Sequence, residues 1–415
     1  MKSWYFSEDN DKLIKLVLDG KKKATSFLYN ADELPAIGEE SIIRFDNEKD
    51  ACIVKVLDHK ILKFNEMTED LAKLEGEGDL SLKHWREVRF AFFKSLKPDF
   101  NDEDIIVFEN FEVVKNLVKE RLELGKMIAS KNMDLFKKID SVDEINAGFN
   151  NTLFDINGKY VIKVCTNPEQ ENKFVIEHNF YLSNETNHNI PKLYKYDDSK
   201  EDCEYVYEII EKVQGQTLYY HWYKMTELQR KQTIEKIITI VKGFHRVKGK
   251  TYDWASKIKN DIKDVVEKCK NLFNENDYEM ILNSFKKYDK YLSDNRFALI
   301  HNDLHFDNII YKDGELKIID FNDSICAPID FEFRQFYMCQ EKPWKWANSE
   351  MDPLQQPEDY TNIWKYTKMF YNELNEIKHL EERMIIYRIW NDSGHLKKYK
   401  SKELIDGIVE NSRKI

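Results

Sequence analysis

The segment from Leu299 to Phe333 reads LIHNDLHFDNIIYKDGELKIIDFNDSICAPIDFEF, and its interpretation decides that of the whole chain. Two short apolar runs flank the turn sequence KDGE at 312–315. An Asp-Gly pair between two such runs is a strong signal for a β-hairpin. The hairpin would bring Asn308, before its first strand, close to Asp320, after its second, with Asp303 on the preceding loop beside them.

Two carboxylates and an amide in this arrangement suit phosphoryl transfer. That reaction needs an oxygen base to orient the attacking hydroxyl group and hard oxygen ligands for the Mg²⁺ that bridges the phosphates. Asp303 is the candidate base, and Asn308 and Asp320 are the candidate metal ligands. The pattern His-x-Asp-x4-Asn followed by Ile-Asp-Phe resembles the aminoglycoside phosphotransferase family, relatives of the protein kinases. We expect His301 to hold the loop by hydrogen bonds, and Asp330 lies in the segment that matches the family's sequence after the metal-binding Asp.

A lysine upstream of this segment is a candidate for phosphate binding. Lys163 alternates with apolar residues on a predicted strand, where a lysine generally needs an anionic partner. Glu177, on the helix predicted next, is the candidate partner. The pair resembles the Lys–Glu pair that positions the α and β phosphates in kinases.

Two further segments resemble the parts of the family that bind the nucleotide. The turn-rich loop at 146–153 corresponds to the loop that covers the phosphates, although most of the usual glycines are absent. Its backbone amides and small polar side chains, Asn150 among them, are candidate phosphate contacts. Residues 205–215 resemble the hinge that binds adenine through backbone groups, with Ile210 and Val213 as the candidate contacts.

After Gly215 the spacing of apolar residues predicts a mainly helical structure. His245 ends one of these helices and is predicted to be a core histidine, since the phosphotransferase motif already contains its own histidine. The acidic residues Glu332, Asp352 and Glu358 are candidates for binding a cationic acceptor, although surface helices are rich in acids. The acceptor itself is not readable, because the family phosphorylates antibiotics, choline-like alcohols, amino-acid hydroxyls, sugars and sometimes proteins.

The first 116 residues show a different pattern, short strand-like runs with few helices, which suggests a small β-barrel capped by helices. Four motifs carry a resemblance to the ASCH domain family: GKKKAT at 20–25, LPAIG at 34–38, EGEGD at 75–79 and WR at 85–86. The family is proposed to bind RNA or nucleotides. Some of its small members hydrolyse acylated nucleosides with a Lys-Thr-Glu set.

Carried onto this sequence, the Lys-Thr-Glu set is Lys22, Thr25 and Glu75. Glu77 is an alternative to Glu75 because it has the same local surroundings, and Arg86 completes the predicted pocket. A desolvated lysine can take a proton from a neighbouring threonine hydroxyl, and a glutamate can pass protons to a leaving amine. The same lysines could instead contact the phosphates of RNA.

Composition limits the remaining possibilities. The formal net charge of −11 argues weakly against a broad nucleic-acid surface. Six scattered cysteines, never spaced as CxxC, exclude the usual zinc ribbons and redox pairs and suit a reducing cytosol. The N-terminus has no apolar signal region and no run approaches a membrane span, so we expect a cytoplasmic protein without a membrane partner.

We therefore predict an α+β protein with four parts: an ASCH-like β-barrel at 1–116, a connecting helix at 117–138, and the nucleotide-binding N-lobe (139–214) and helical C-lobe (215–415) of a bilobal, protein-kinase-like fold. The predicted function is Mg²⁺-dependent phosphoryl transfer from ATP or GTP to a hydroxyl group of a small molecule, beside a domain that binds RNA or a nucleoside. One alternative is a non-catalytic, nucleotide-sensing RNA-binding protein, which the glycine-poor loop would explain. Another is a bifunctional enzyme whose first domain hydrolyses acylated nucleosides.

Overall fold

The structure is a computed structural model that describes residues 1–7, 9–31, 34–145, 151–341 and 352–415. The candidate phosphate contact Asn150 and the side chain of Asp352 lie outside the described residues. Internal contacts divide the chain into two compact units: a first unit of Met1–Thr166 with Glu201–Glu204, and a second unit of Asn167–Lys200 with Tyr205–Ile415. No described helix has both the length and the apolar character needed to cross a membrane.

The first unit begins with a curled sheet of five strands, which forms a half-barrel and confirms the predicted mainly β N-terminal part. Its elements are β1 (Lys2–Trp4), α1 (Asn10–Leu18), β2 (Ala24–Leu28), β3 (Glu40–Arg44), β4 (Asp50–Lys63), α2 (Glu69–Glu75), α3 (Leu82–Leu96) and β5 (Ile105–Asn116). The strands lie in the order β1-β3-β4-β5-β2, with β1 parallel to β3 and the other neighbours antiparallel.

Two apolar clusters hold helices against this sheet. The first contains Ile14 and Val17 of α1 together with Phe111 of β5. The second contains Phe64 and Trp85, whose rings stack with centroids 5.1 Å apart. The helices therefore bury the apolar faces that their sequence periodicity predicts.

The rest of the first unit contains two helices and three strands: α4 (Leu117–Lys131), α5 (Met133–Phe136), β6 (Val142–Ile145), β7 (Thr152–Ile156) and β8 (Tyr160–Val164). The predicted single helix at 117–138 is broken at Asn132, whose side chain donates to the Ile128 carbonyl oxygen (2.8 Å). Such a side-chain bond to the backbone competes with helix continuation. Arg121 of α4 donates to Glu144 of β6 (2.9 Å) and to the Asp50 carbonyl oxygen of β4 (2.7 Å), so it links the two sheets within this unit.

The second unit contains most of the helices. Its elements are α6 (Glu171–Ser183), β9 (Leu193–Asp197), β10 (Tyr207–Glu211), β11 (Gln216–Thr217), α7 (Tyr219–Trp222), α8 (Glu227–Phe244), α9 (Trp254–Lys268), α10 (Glu275–Ser284), α11 (Tyr288–Tyr291), β12 (Phe297–Ile300), β13 (Ile309–Lys312), β14 (Glu315–Ile318), β15 (Ile325–Pro328), α12 (Arg334–Cys339), α13 (Ile363–Phe370), α14 (Leu380–Tyr399) and α15 (Lys402–Lys414). One large apolar cluster joins α8, α9, α13 and α14 to the strands β12 to β14.

Short antiparallel pairs carry the polar loops of this unit. β12 pairs with β15, β13 pairs with both β11 and β14, and β9 pairs with β10. Phe321, directly after the hairpin, is fully buried and stacks on Phe180 of α6 with ring centroids 4.0 Å apart. The segment after the hairpin is therefore held against α6.

Candidate functional site

The predicted hairpin is present and places two of the predicted site residues. β13 and β14 form it, and its turn residues Asp313 and Gly314 have φ angles of 50° and 88°, as an Asp-Gly hairpin turn requires. Beyond the strand pairing, the Ile319 amide donates to the Asn308 carbonyl oxygen (3.0 Å). Asn308 and Asp320 consequently lie at the same end of the hairpin.

Asp303 lies on the loop formed by residues 301–308, called here the Asp303 loop. Gln335 Nε2 donates to Asp303 Oδ1 (2.9 Å), and His305 Nε2 lies 3.5 Å from Oδ2. Burial alone would raise the pKa of Asp303, but its contacts with His305 and Gln335 lower it overall, below the ordinary value of 3.8. The carboxylate is therefore ionised, which is the state needed to orient a hydroxyl group.

The amide of Asn308 is oriented by the same loop. Its Nδ2 donates to the Asp303 carbonyl oxygen (2.9 Å), and no described residue donates to its Oδ1. No cluster of three His, Cys, Asp or Glu side chains that could hold a metal exists in the described parts of the chain. An amide oxygen from Asn308 and a carboxylate from Asp320, completed by phosphate and water oxygens, nevertheless fit Mg²⁺, which commonly takes few protein ligands.

Glu332 was a candidate for acceptor binding, but it is fully buried and holds the Asp303 loop instead. Its Oε2 accepts from the His301 amide (2.7 Å) and its Oε1 from the Asn302 amide (3.1 Å). His245 is the core histidine that was predicted: it lies 3.4 Å from Glu332 Oε2 and 2.7 Å from the Tyr371 hydroxyl. Burial alone would raise the pKa of Glu332, but His245 and His301 lower it overall.

Two more side chains fix the backbone of the loop. The imidazole of His301 is bonded at both nitrogens, with Nδ1 accepting from the Asp303 amide (3.2 Å) and Nε2 next to the Ile319 carbonyl oxygen (2.8 Å). Arg334 donates to the Asn302 carbonyl oxygen. The Asp303 loop is thus tied both to the hairpin end and to the start of α12.

The structure places the other predicted residues of the second unit as follows. Glu177 is buried on α6 and accepts from the Phe321 amide (3.2 Å), directly after Asp320. Asp330 is fully buried in an ion pair with Arg383 of α14 (2.6 Å) and lies in the helical core rather than in the site. Glu177 is therefore positioned beside the hairpin end, while Asp330 has a structural position.

The hinge candidates lie at the end of β10. Ile210 belongs to this strand and Val213 follows it, both partly exposed. Glu211 between them pairs with Lys317 of β14 (2.7 Å), which joins the end of β10 to the hairpin. Lys163 is buried on β8 of the first unit, and its pairing with Glu177 stays a prediction.

In the first unit, Glu75 is fully buried and all of its contacts are internal. Its Oε1 accepts from Ser26 (2.6 Å) and Trp85 (2.8 Å), and its Oε2 accepts from Arg89 and lies 3.6 Å from Lys22 Nζ. Burial alone would raise the pKa of Glu75, but Arg89 and Lys22 lower it overall. This carboxylate therefore serves as the centre of a buried charged network.

A cleft of about 630 Å³ lies beside that network, and Glu77 rather than Glu75 faces it. Glu77 Oε1 accepts from Lys22 (2.5 Å) and Arg89 (2.7 Å). Thr25 lines the cleft, as does Glu109, its partner across the strand pair. Burial raises the pKa of Glu109 above its ordinary value, although a hydrogen bond from His59 opposes that shift. The cleft wall also contains the aromatic residues Trp4, Tyr5, Phe6, Phe27 and Phe92.

The predicted pocket arginine requires a correction. Arg86 is exposed and donates to the Asn65 carbonyl oxygen (3.0 Å), away from the cleft, whereas Arg89 is buried and contacts both carboxylates. Arg89 lies four residues after the buried Trp85, on the same face of α3, while Arg86 lies on another face. The helical spacing was the signal that could have identified Arg89.

Gln335 was missed for a different reason. It lies 32 residues after Asp303, and nothing in the local sequence indicates that the two side chains meet. The local sequence likewise gives no indication that Arg334 contacts the Asn302 carbonyl oxygen. The roles of Gln335 and Arg334 depend on where the start of α12 packs, which only the tertiary structure shows.

Two family models match different parts of the chain. Residues 2–115 match the family model of the ASCH domain, and residues 141–351 match that of a phosphotransferase enzyme family, APH. No curated protein matches the chain.

Solved structures resemble each part. The ADP-bound aminoglycoside phosphotransferase APH(2'')-Ib is 18% identical, with 69% of this chain and 96% of that chain covered and a TM-score of 0.50. The GDP and kanamycin complex of APH(2'')-IIIa is 17% identical, with 70% and 96% covered and a TM-score of 0.52. At these identities the likeness shows a shared fold. An ASCH domain from Lactobacillus crispatus is 28% identical over 28% of this chain and 80% of that chain, with a TM-score of 0.27.

Proposed function

Because the chain belongs to the phosphotransferase enzyme family, a family of kinase-type enzymes that act on hydroxyl groups, we propose that it transfers the γ-phosphoryl group of ATP or GTP to a hydroxyl group of a small molecule. The observation that carries this proposal is the grouping of Asp303, Asn308 and Asp320 around one end of the β13–β14 hairpin. The ADP and GDP bound to the two solved relatives support a nucleotide as the donor.

In the proposed reaction the ionised Asp303 accepts a hydrogen bond from the acceptor hydroxyl group and orients its oxygen towards the γ-phosphate. Asn308 Oδ1 and the carboxylate of Asp320 would hold Mg²⁺, which would offset the negative charge of the phosphates. The bonds from Glu332 and His301 keep the Asp303 loop in place, so little reorganisation is needed when the acceptor arrives.

The nucleotide would be held by the residues before the Asp303 loop. Lys163, paired with Glu177, would contact the α and β phosphates, and Asn150 would contact the phosphates from the covering loop. Backbone groups at Ile210 and Val213 would bind the adenine or guanine ring. The Phe321 amide donates to Glu177, which supports a position of this carboxylate beside the candidate metal ligand Asp320.

For the N-terminal cleft we propose a nucleoside-like ligand in preference to an RNA strand. Three cations line it, and each already has a carboxylate partner: Lys2 with Glu39 (3.0 Å), Lys12 with Asp9 (3.6 Å) and Arg89 with Glu77 (2.7 Å). RNA binding depends mainly on cations that are available to phosphates. An aromatic wall with hydrogen-bonding carboxylates instead suits a planar base.

Two alternatives have specific support. Hydrolysis of an acylated nucleoside would use Thr25 and a cleft-facing carboxylate, with Lys22 behind it. A nucleotide-sensing protein without transferase activity would explain the glycine-poor sequence at 146–153. No disulfide joins any of the six cysteines, all of which lie among the described residues, and this supports our proposal of a cytoplasmic location.

The phosphotransferase proposal is tested with γ-labelled ATP and GTP in parallel, Mg²⁺, and two acceptor sources: kanamycin and a small-molecule cell extract. We expect labelled product from the wild type and at least a hundredfold less from Asp303→Asn and Asp320→Asn. The matched control is Asp313→Asn in the hairpin turn, where Asn also tolerates positive φ. Nucleotide binding without labelled product from the wild type would support the sensing alternative and contradict the proposal.

The cleft proposal is tested by calorimetric titration with cytidine, N4-acetylcytidine and a short single-stranded RNA. We expect binding of a nucleoside, weakened by Glu77→Gln and unchanged by Glu112→Gln on the exposed part of β5. Tighter binding of the RNA, or an absorbance spectrum showing co-purified nucleic acid, would contradict the proposal. Release of acetate from N4-acetylcytidine that depends on Thr25 would establish the hydrolytic alternative.

A further inference from the structure

Gln335 is the second residue of α12, only 5% exposed, and its amide reaches the candidate base. Gln335 Nε2 donates to Asp303 Oδ1 at 2.9 Å. The other carboxylate oxygen has longer contacts, 3.4 Å to Asn308 Nδ2 and 3.5 Å to His305 Nε2. One oxygen of Asp303 is thus firmly bonded within the protein, and the other is less engaged.

We propose that Gln335 is a positioning residue for phosphoryl transfer, an inference that rests on the function proposed above. By holding Oδ1, it fixes the rotation of the carboxylate and leaves Oδ2 to accept the hydrogen bond of the acceptor hydroxyl group. Gln335 contacts neither acceptor nor phosphate in this role and acts only through Asp303. A base that is misplaced by a fraction of an ångström loses much of its effect, because the reacting oxygen must be aligned with the phosphorus.

The neighbouring residues show why this role belongs to the side chain of Gln335. Glu332 and Arg334 hold the backbone of the Asp303 loop, at the amides of His301 and Asn302 and at the Asn302 carbonyl oxygen. The loop backbone is therefore fixed without Gln335. Within this segment, Gln335 alone extends to the carboxylate itself.

Core packing does not explain the amide. Gln335 Oε1 is buried and has no hydrogen-bond partner among the described residues. A buried carbonyl oxygen without a donor is destabilising, and such an atom calls for an explanation other than stability. A methionine of similar length would fill the same space without this penalty. The bond to Asp303 is thus the contribution that an apolar side chain cannot replace.

The test compares the full-length wild type with Gln335→Met and uses release of phosphate from Mg-ATP, with water as the acceptor, as the assay. We expect kcat to fall about 10- to 100-fold, while KM for ATP stays within about twofold. The thermal midpoint should stay the same or rise, because the orphaned oxygen is removed. Gln335→Glu keeps the shape but cannot donate, so we expect it to lose at least as much kcat.

A matched control is Gln340→Met, at the other end of the same helix, where Nε2 donates to the Tyr337 carbonyl oxygen (3.0 Å). We expect its kcat to equal that of the wild type. An unchanged kcat in Gln335→Met would overturn the proposal. A loss of kcat accompanied by a lower thermal midpoint and a higher KM would also overturn it, because that combination would indicate a structural role. A wild type that neither releases phosphate nor labels an acceptor would overturn the proposed phosphotransferase function itself. Failure of the proposed function is therefore seen in the wild type, whereas failure of the positioning role alone is seen only in the variant.

Discussion

Asp330 and Arg383 form a two-bonded ion pair in which both side chains are completely buried: Nε lies 2.6 Å from Oδ2 and Nη2 lies 3.0 Å from Oδ1. The Tyr387 hydroxyl donates to Oδ2 as well (2.9 Å). The pair joins the segment after β15 to α14. Because Glu332 and Gln335 follow closely on Asp330, this bond determines where the residues that hold the Asp303 loop can lie.

Breaking the pair should therefore destabilise the second unit strongly. Arg383→Met leaves the Asp330 carboxylate buried without its cation, and we expect a loss of about 3–5 kcal/mol. The measurement is urea unfolding followed by tryptophan fluorescence. The control is Lys257→Met. Lys257 and Asp261 form an ion pair in which the side chains are 39% and 36% exposed, so loss of this cation should change stability by less than about 1 kcal/mol. Equal effects of the two substitutions would contradict this prediction.

Glu332→Gln tests how the Asp303 loop is held. A glutamine has one oxygen in place of two, so either the His301 or the Asn302 amide loses its acceptor in a buried position. We expect a loss of about 1–3 kcal/mol and faster hydrogen exchange in a peptide spanning residues 299–308. Glu376→Gln, in an exposed pair with Arg296, is the control and should leave that exchange unchanged.

Gly215 has a backbone φ of 131° and lies close to β13, so a side chain at this position should be poorly tolerated. A Cβ atom there would lie 2.5 Å from the Tyr311 carbonyl oxygen. We expect Gly215→Ala to destabilise the protein by about 1–3 kcal/mol and to weaken nucleotide binding at the adjoining hinge. Gly314→Ala has a similar backbone constraint, with φ of 88°, but its Cβ would lie 3.9 Å from Lys236 Nζ, an ordinary contact, so thermal unfolding should show a smaller effect.

The buried network of the first unit predicts a pH dependence of stability. The pKa of Glu75 in the folded protein lies below its ordinary value of 4.5. Its ionic contacts therefore stabilise the fold above that pH and are lost as pH falls through the lower, folded value. We expect Glu75→Gln to have a lower thermal midpoint than the wild type at pH 7. The difference between the two thermal midpoints should become smaller below about pH 4.5.

Glu112→Gln, on the exposed part of β5, is the control for this experiment and should follow the wild type at both pH values. A gap between the wild type and Glu75→Gln that stays constant from pH 7 to pH 3.5 would show that the Glu75 charge contributes no stability.

Short-range signals account for what could be predicted from the sequence. The turn at 312–315 brings Asn308 and Asp320 together because an Asp-Gly turn fixes the register of the strands beside it. Apolar spacing likewise indicates α1, in which Leu13, Ile14 and Val17 recur at near-helical intervals and are buried.

The sequence by itself determined the hairpin and identified the candidates Asp303, Asn308 and Asp320, since each rests on residues that are near one another in the chain. Tertiary structure alone decided that Glu75 is buried while Glu77 faces a cleft. It also decided that Gln335 reaches Asp303 across 32 residues and that Arg383 pairs with Asp330 across 53. The physical reason is that burial and ion pairing depend on which surfaces pack together, and no local pattern specifies that.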